Sequence, residues 1–120
     1  MRRSPSPGTV GSAAKRRRAQ EWLRAAFAEH QAGRLSDAEA LYERVLARDP
    51  GQAQALHYLG MLCHQTGRPE RAVDLLKKSV RAEPDPIVLN NLGGMLMEQE
   101  RFAEATRFYG LAVQRRPDYI

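Results

Sequence analysis

Apolar positions in this chain recur every three or four residues, in short runs punctuated by glycine and proline. In the middle of the sequence Leu56, Leu59, Gly60 and Cys63 keep that spacing, the period of one helix face. Gly67 follows, where a helix closes on a left-handed residue. Pro69 then suits the first turn of a new helix. Ala72, Leu75, Leu76, Ser79 and Val80 make a second apolar face, which Pro84 ends. Nearer the N-terminus, Ser36 and Glu39 form a capping-box pattern that opens a helix. Asp85 before Pro86 reads as a cap followed by a first-turn proline. No segment alternates as a strand does, and the chain is predicted to be all-α.

The helix pairs repeat. Gly33-Arg34 recurs as Gly67-Arg68. Ala38 recurs as Ala72 and Ala105, and Asp49-Pro50 as Glu83-Pro84 and Arg116-Pro117. The first interval is 34 residues and the second 33, a period that marks a stacked array of helix–turn–helix units. Three units are predicted, over about 19–52, 53–85 and 86–118. The pattern breaks in two places. Glu100 stands where Gly33 and Gly67 end the earlier helices, and one residue is missing near Glu83-Pro84-Asp85-Pro86.

Trp22, Ala26, Gly33, Ala38, Tyr42 and Pro50, with their counterparts through Pro117, resemble the tetratricopeptide repeat over residues 19–118. The resemblance implies an all-α solenoid wound as a right-handed superhelix, with small residues where paired helices cross. Ala26, Gly60 and Gly93 would form one small column, and Ala38, Ala72 and Ala105 another. In such arrays the first helix of each unit lines a concave groove that holds a partner peptide. By register the groove-lining residues here are Leu23, Phe27 and His30, then Gln54, His57, Met61 and His64. The third unit supplies Asn90, Asn91 and Met97, with Gly94 and Glu98 beside them. A subtype that clamps chaperone C-termini uses lysine, arginine and asparagine at the positions of Leu23, Phe27, Tyr58, Ile87 and Asn91; four of these five do not match and no cation remains to pair a carboxylate, so that activity is not expected. The stretch Leu89-Asn90-Asn91-Leu92-Gly93 is similar to repeats that precede O-GlcNAc transferase domains. There a ladder of asparagines holds peptide backbone, and here only Asn91 would join it, because Arg24 and Tyr58 break it.

Composition narrows the classes. At 120 residues and 13.5 kDa the chain is one domain at most. Its net charge of +5 is uneven: residues 1–18 hold six basic side chains and no acid. The remainder holds thirteen basic and fourteen acidic residues. Residues 1–18 are expected to be a disordered, solubilising basic tail that can join the first helix near Ala13, with nucleic-acid association through Lys15-Arg16-Arg17-Arg18 as an alternative. Nucleic acid is not expected as a partner of the folded part. Cys63 is the only cysteine, so no intramolecular disulfide can form. The sequence lacks an apolar run long enough to span a membrane and a secretory-signal pattern, so a cytoplasmic protein is expected.

Catalytic signals are thin. No phosphate loop, paired-cysteine motif or nucleophile elbow is present. His57 and His64 lie seven residues apart, too sparse for a metal site. No catalytic residue, cofactor or metal is expected. The reading is a non-enzymatic scaffold that binds a protein segment in its groove. The alternative is the N-terminal, substrate-selecting part of a larger O-GlcNAc transferase-like enzyme or another transferase. Tyr119 and Ile120 would start a further helix. An uncovered strip at Phe108, Leu111, Ala112 and Val113 therefore predicts self-association through the C-terminal helix, or a longer array, unless Tyr119 and Ile120 serve as a lid.

Overall fold

A computed structural model describes residues 7–115, of which side chains are placed from Ala13 onward. They form six helices: α1 (Pro7–Gln31), α2 (Leu35–Arg48), α3 (Ala53–Gln65), α4 (Pro69–Ala82), α5 (Pro86–Glu98) and α6 (Phe102–Arg115). No strand occurs among the described residues. The chain divides into two compact units, one ending at Pro50 and the other beginning at Gly51. In the first, α1 packs on α2. In the second, α3 packs on α4, α4 on α5, and α5 on α6.

Helix α1 begins at Pro7, which places residues 7–18 in a helix and not in the disordered tail expected from composition. Packing begins only at Ala19: residues 13–18 are all exposed. The packed part of α1 is already nucleated, and Ala13, Ala14 and Lys15 through Arg18 are good helix formers. Extension therefore adds turns without a new nucleation cost. The first unit is closed by Ala19, Leu23 and Ala26 against Ala38, Tyr42 and Val45. Arg44 and Arg48 both lie over the Trp22 ring, at 5.1 and 5.6 Å from its centroid.

Close crossing in the second unit rests on small residues. A Cβ on Gly60 would run into Leu76 Cδ1 and lie 3.3 Å from the Ala72 carbonyl oxygen. Leu76 and Ala72 are themselves fully buried. A Cβ on Gly93 would meet the Tyr109 ring at 2.7–2.9 Å. Ala38, Ala72 and Ala105 are all fully buried, as their repeat register requires. Buried Ser79 donates to the Ala53 carbonyl at 2.8 Å and so ties the end of α4 to the start of α3.

The turns repeat with one exception in residue type. Gly33 and Gly67 have φ of 81° and 77°, and Glu100 takes the same left-handed conformation at 58°. In each turn the next amide reaches back to a carbonyl five residues earlier: Arg34 to Glu29, Arg68 to Cys63 and Arg101 to Leu96. This satisfies carbonyls that a helix end otherwise leaves orphaned. The missing residue lies between helix pairs: residues 49–52 join α2 to α3, but only 83–85 join α4 to α5.

Caps differ from the expectation in one case. Ser36 lies inside the first turn of α2, whose N-cap is Arg34 without a side-chain cap bond. The turn at Gly33 sets the start of α2 earlier than the Ser36–Glu39 pattern suggests, so no capping box forms. Asp85 caps α5 as expected, accepting from Ile87 N at 2.8 Å. Gln52, which the sequence did not single out, caps α3 by accepting from Ala55 N at 2.8 Å.

Gly60→Leu is expected to lower unfolding stability by about 1–3 kcal/mol, because the new side chain enters a filled crossing. Gly110→Ala, where a Cβ meets nothing within 4 Å, should instead raise it by about 0.5–1 kcal/mol. Urea unfolding of the two variants checks both signs. Glu100→Gly relieves a left-handed side-chain residue and should stabilise by a fraction of the roughly 1–2 kcal/mol that conformation costs. Gly67→Ala should cost about 1 kcal/mol for the same reason.

Candidate functional site

The residues expected to line a groove fall into both units. In the first, Leu23 is buried at 8% exposure and belongs to the core, which corrects its placement on an open surface. Its column packs toward α2 with Ala19 and Ala26, so one helical step separates it from solvent. Phe27 is 40% exposed. His30 is half-buried, its Nδ1 3.1 Å from the Tyr42 hydroxyl and its ring edge-on to that tyrosine.

In the second unit α3 and α5 lie side by side, linked by two polar contacts that are each 34 positions apart in sequence. Asn91 Nδ2 lies 3.4 Å from His57 Nε2, and His64 Nε2 lies 2.8 Å from Glu98 Oε2. The two helices are offset by 33 residues, so each α3 imidazole leans on the residue just past its α5 counterpart. The contacts are two turns apart and pin the helix faces at both ends. Between them opens a hollow of about 310 Å³, lined by Met61, His64, Asn90, Asn91, Gly94 and Glu98. Tyr109 reaches it from α6. Its ring lies against the Gly93-Gly94 backbone, with the hydroxyl 3.7 Å from where a Cβ on Gly94 would stand.

Four of the expected residues, Met61, His64, Asn90 and Asn91, thus share one site. Gln54 and His57 border a smaller hollow of about 60 Å³ with Ser79, Asp85 and Val88. Met97, on α5, is 45% exposed and is not among the residues lining either hollow. Tyr109 was missed as a site residue, since it reads as a second-helix packing residue. The signal was the glycine doublet, which admits a ring against the α5 backbone. Burial pushes the His57 pKa below the usual imidazole range, with the Asp85 carboxylate partly opposing. Neutral His57 offers an acceptor nitrogen to the Asn91 amide.

Apart from Glu98, which lines this hollow, the main charge clusters lie away from it. Glu104 accepts from Arg101 at 2.6 and 3.0 Å and from Lys77 at 2.9 Å. Arg101 first, and Lys77 second, hold its carboxyl at about 2. Arg34 pairs with Glu29 across the turn between α1 and α2 and lowers that carboxyl too.

The tetratricopeptide repeat family matches residues 29–92, and a second form of the same repeat matches 65–120. The chain belongs to the tetratricopeptide repeat family, in the class of all-α solenoid scaffolds. A TPR repeat-containing protein of Pseudomonas aeruginosa is 38% identical over 77 residues, covering 62% of this chain and 13% of the relative. The ancillary SecYEG translocon subunit of Neisseria gonorrhoeae is 31% identical over 102 residues, covering 82% of this chain and 49% of that protein. This chain therefore spans half or less of the length of these relatives. Among solved structures, the O-GlcNAc transferase of Thermobaculum terrenum superposes with a TM-score of 0.77 at 28% identity. That match covers 90% of this chain and 20% of the transferase. Among the described residues no helix is long and apolar enough to cross a membrane.

The lowered His57 pKa sets the sign of a pH effect. Above the ordinary value of 6.5 the imidazole is neutral in folded and unfolded chains alike, and its full contribution is present. As pH falls below that value the unfolded chain takes up the proton more readily, so stability is lost. Melting temperature should therefore fall on acidification from pH 7 toward 5, and more steeply for the wild type than for His57→Gln. Parallel melting curves across that range would exclude His57 as the source.

Proposed function

We propose that the hollow between α3 and α5 binds an extended peptide segment of a protein partner. The observation that carries this reading is the pairing, in one site, of amide side chains with an apolar floor. Asn90 is exposed and Asn91 half-buried, and both line the hollow. An extended backbone presents N–H and C=O groups alternately, which carboxamides can match in either sense. Met61 adapts its shape to an incoming apolar side chain. A volume of about 310 Å³ lies at the small end of ligand sites and suits one or two peptide side chains. The activity proposed is recognition of that segment.

A second reading follows from the transferase superposition. In it, the chain is the substrate-selecting portion of a larger transferase, and the bound segment is that enzyme's protein substrate. The translocon-subunit relative supports a third kind of partner, a protein assembly at a membrane. All three share the same recognition surface and differ in what the peptide belongs to.

Affinity capture followed by titration with the captured segment tests the surface. Asn91→Ala and Met61→Ala are expected to weaken binding several-fold each while helicity stays at the wild-type level. Lys78→Ala, an exposed change on α4, should leave it unaltered. Loss of capture with Lys78→Ala and not with the hollow variants would place the functional face elsewhere.

A further inference from the structure

A second hollow opens on a different face of the 51–115 unit, between α4 and α6. Its volume is about 340 Å³, somewhat larger than the α3–α5 hollow, and no lining residue is shared between them. The floor is apolar: Leu89 and Phe108 are buried, while Val80 and Leu111 are half-exposed. The rim is basic, with Lys77 and Arg81 from α4 and Arg107 and Arg115 from α6. One acid lines it, Glu104, and both of its oxygens are already engaged by Arg101 and Lys77. Among the described residues no ion pair neutralises Arg81, Arg107 or Arg115. Arg107 extends over the Phe108 ring, 5.5 Å from its centroid, which holds that guanidinium at the edge of the apolar floor.

We propose that this α4–α6 hollow is a second docking site, which takes an acidic peptide segment bearing one bulky apolar side chain. The apolar side chain fills the space over Val80 and Leu111. Carboxylates on either side of it meet Arg81, Arg107 and Arg115, whose planar forks pair with carboxylates in bidentate fashion. Helix polarity explains part of this arrangement, since Arg81 and Arg115 occupy the last turns of their helices, where cations are favoured. It does not explain Arg107, which sits mid-helix, or the apolar floor, uncovered by the other described residues, that the three arginines surround. The shape favours peptide over the other polyanions. A concave site cannot rest on a flat bilayer, and the floor offers no exposed aromatic platform on which nucleic-acid bases would stack.

The test uses the full chain and a fluorescein-labelled probe, Glu-Glu-Phe-Glu-Glu, followed by polarisation and by two-dimensional NMR. The expected result is saturable binding that shifts the Val80 and Leu111 signals. Arg81→Glu with Arg107→Glu should weaken it about tenfold or more. Asn91→Ala with Met61→Ala should leave it unchanged, which separates this site from the α3–α5 hollow. If the double charge reversal unfolds the chain, salt decides with the wild type: affinity should drop from about 0.05 to 0.3 M salt as screening tightens. Indifference to salt overturns the proposal. So does equal binding of an alanine-centred probe, or loss through Asn91→Ala but not through the arginine pair. Tighter binding of single-stranded DNA with the same arginine dependence would make nucleic acid the occupant and overturn the peptide. Sedimentation that shows the probe competing with dimerisation would make it a second copy. A change in the free chain's Val80 and Leu111 signals on Tyr119→Ser with Ile120→Ser would show its own terminus already in place.

Discussion

Close approach of paired helices at small residues is the constraint from which the rest of the second unit follows. With hydrogen alone at Gly60, the Leu76 side chain can lie against the α3 backbone. With hydrogen alone at Gly93, the Tyr109 ring lies against α5. Dispersion contacts fall off steeply with distance, so even a small increase in separation would sacrifice much of this packing. The same closeness fixes where the outer-facing side chains stand. Met61, one residue after Gly60, and Gly94, one after Gly93, both border the hollow between α3 and α5. Helix crossing and the surface proposed for binding are thus two sides of one arrangement.

The polar contacts divide the labour differently. Ser79 on the Ala53 carbonyl, Gln99 on the Pro69 carbonyl at 3.2 Å, and the Glu104 cluster all bridge elements at their ends. They satisfy groups that burial would otherwise leave costly, and no buried side-chain polar atom among the described residues lacks a partner. Such bonds contribute modestly to stability but select register. His57–Asn91 and His64–Glu98 do the same for α3 and α5 and hold open the face between them.

The two hollows of the second unit differ in their polar groups. Two asparagines, one imidazole and two methionines are among the residues lining the α3–α5 hollow, while arginines and one lysine ring the α4–α6 hollow. First helices carry the first set and second helices most of the other. The α5–α6 pair therefore contributes to two chemically distinct faces, on which the two proposed docking sites rest.

Much of the fold was legible in the sequence, because repeat spacing and local turn chemistry act over a few residues. The helix pairs, the turn at Gly67, the cap at Asp85, the shortened connection before Pro86 and the small residues at the crossings all have local or periodic signatures. The site was legible in part. Periodicity put Met61, His64, Asn90 and Asn91 on first helices, but it could not tell the core side of Leu23 from the open side of Phe27, four residues on. Tyr109 was hidden because its role depends on how close α6 comes to the Gly93-Gly94 backbone, a distance no spacing encodes. The helical state of residues 7–18 was obscured by composition, which reports the absence of a core but not the propagation of a helix already nucleated by one. The arginine-rimmed hollow is tertiary altogether. Lys77, Arg81, Arg107 and Arg115 are scattered singly through two amphipathic helices, and only the packing of both helices around α5 brings their charges to one rim.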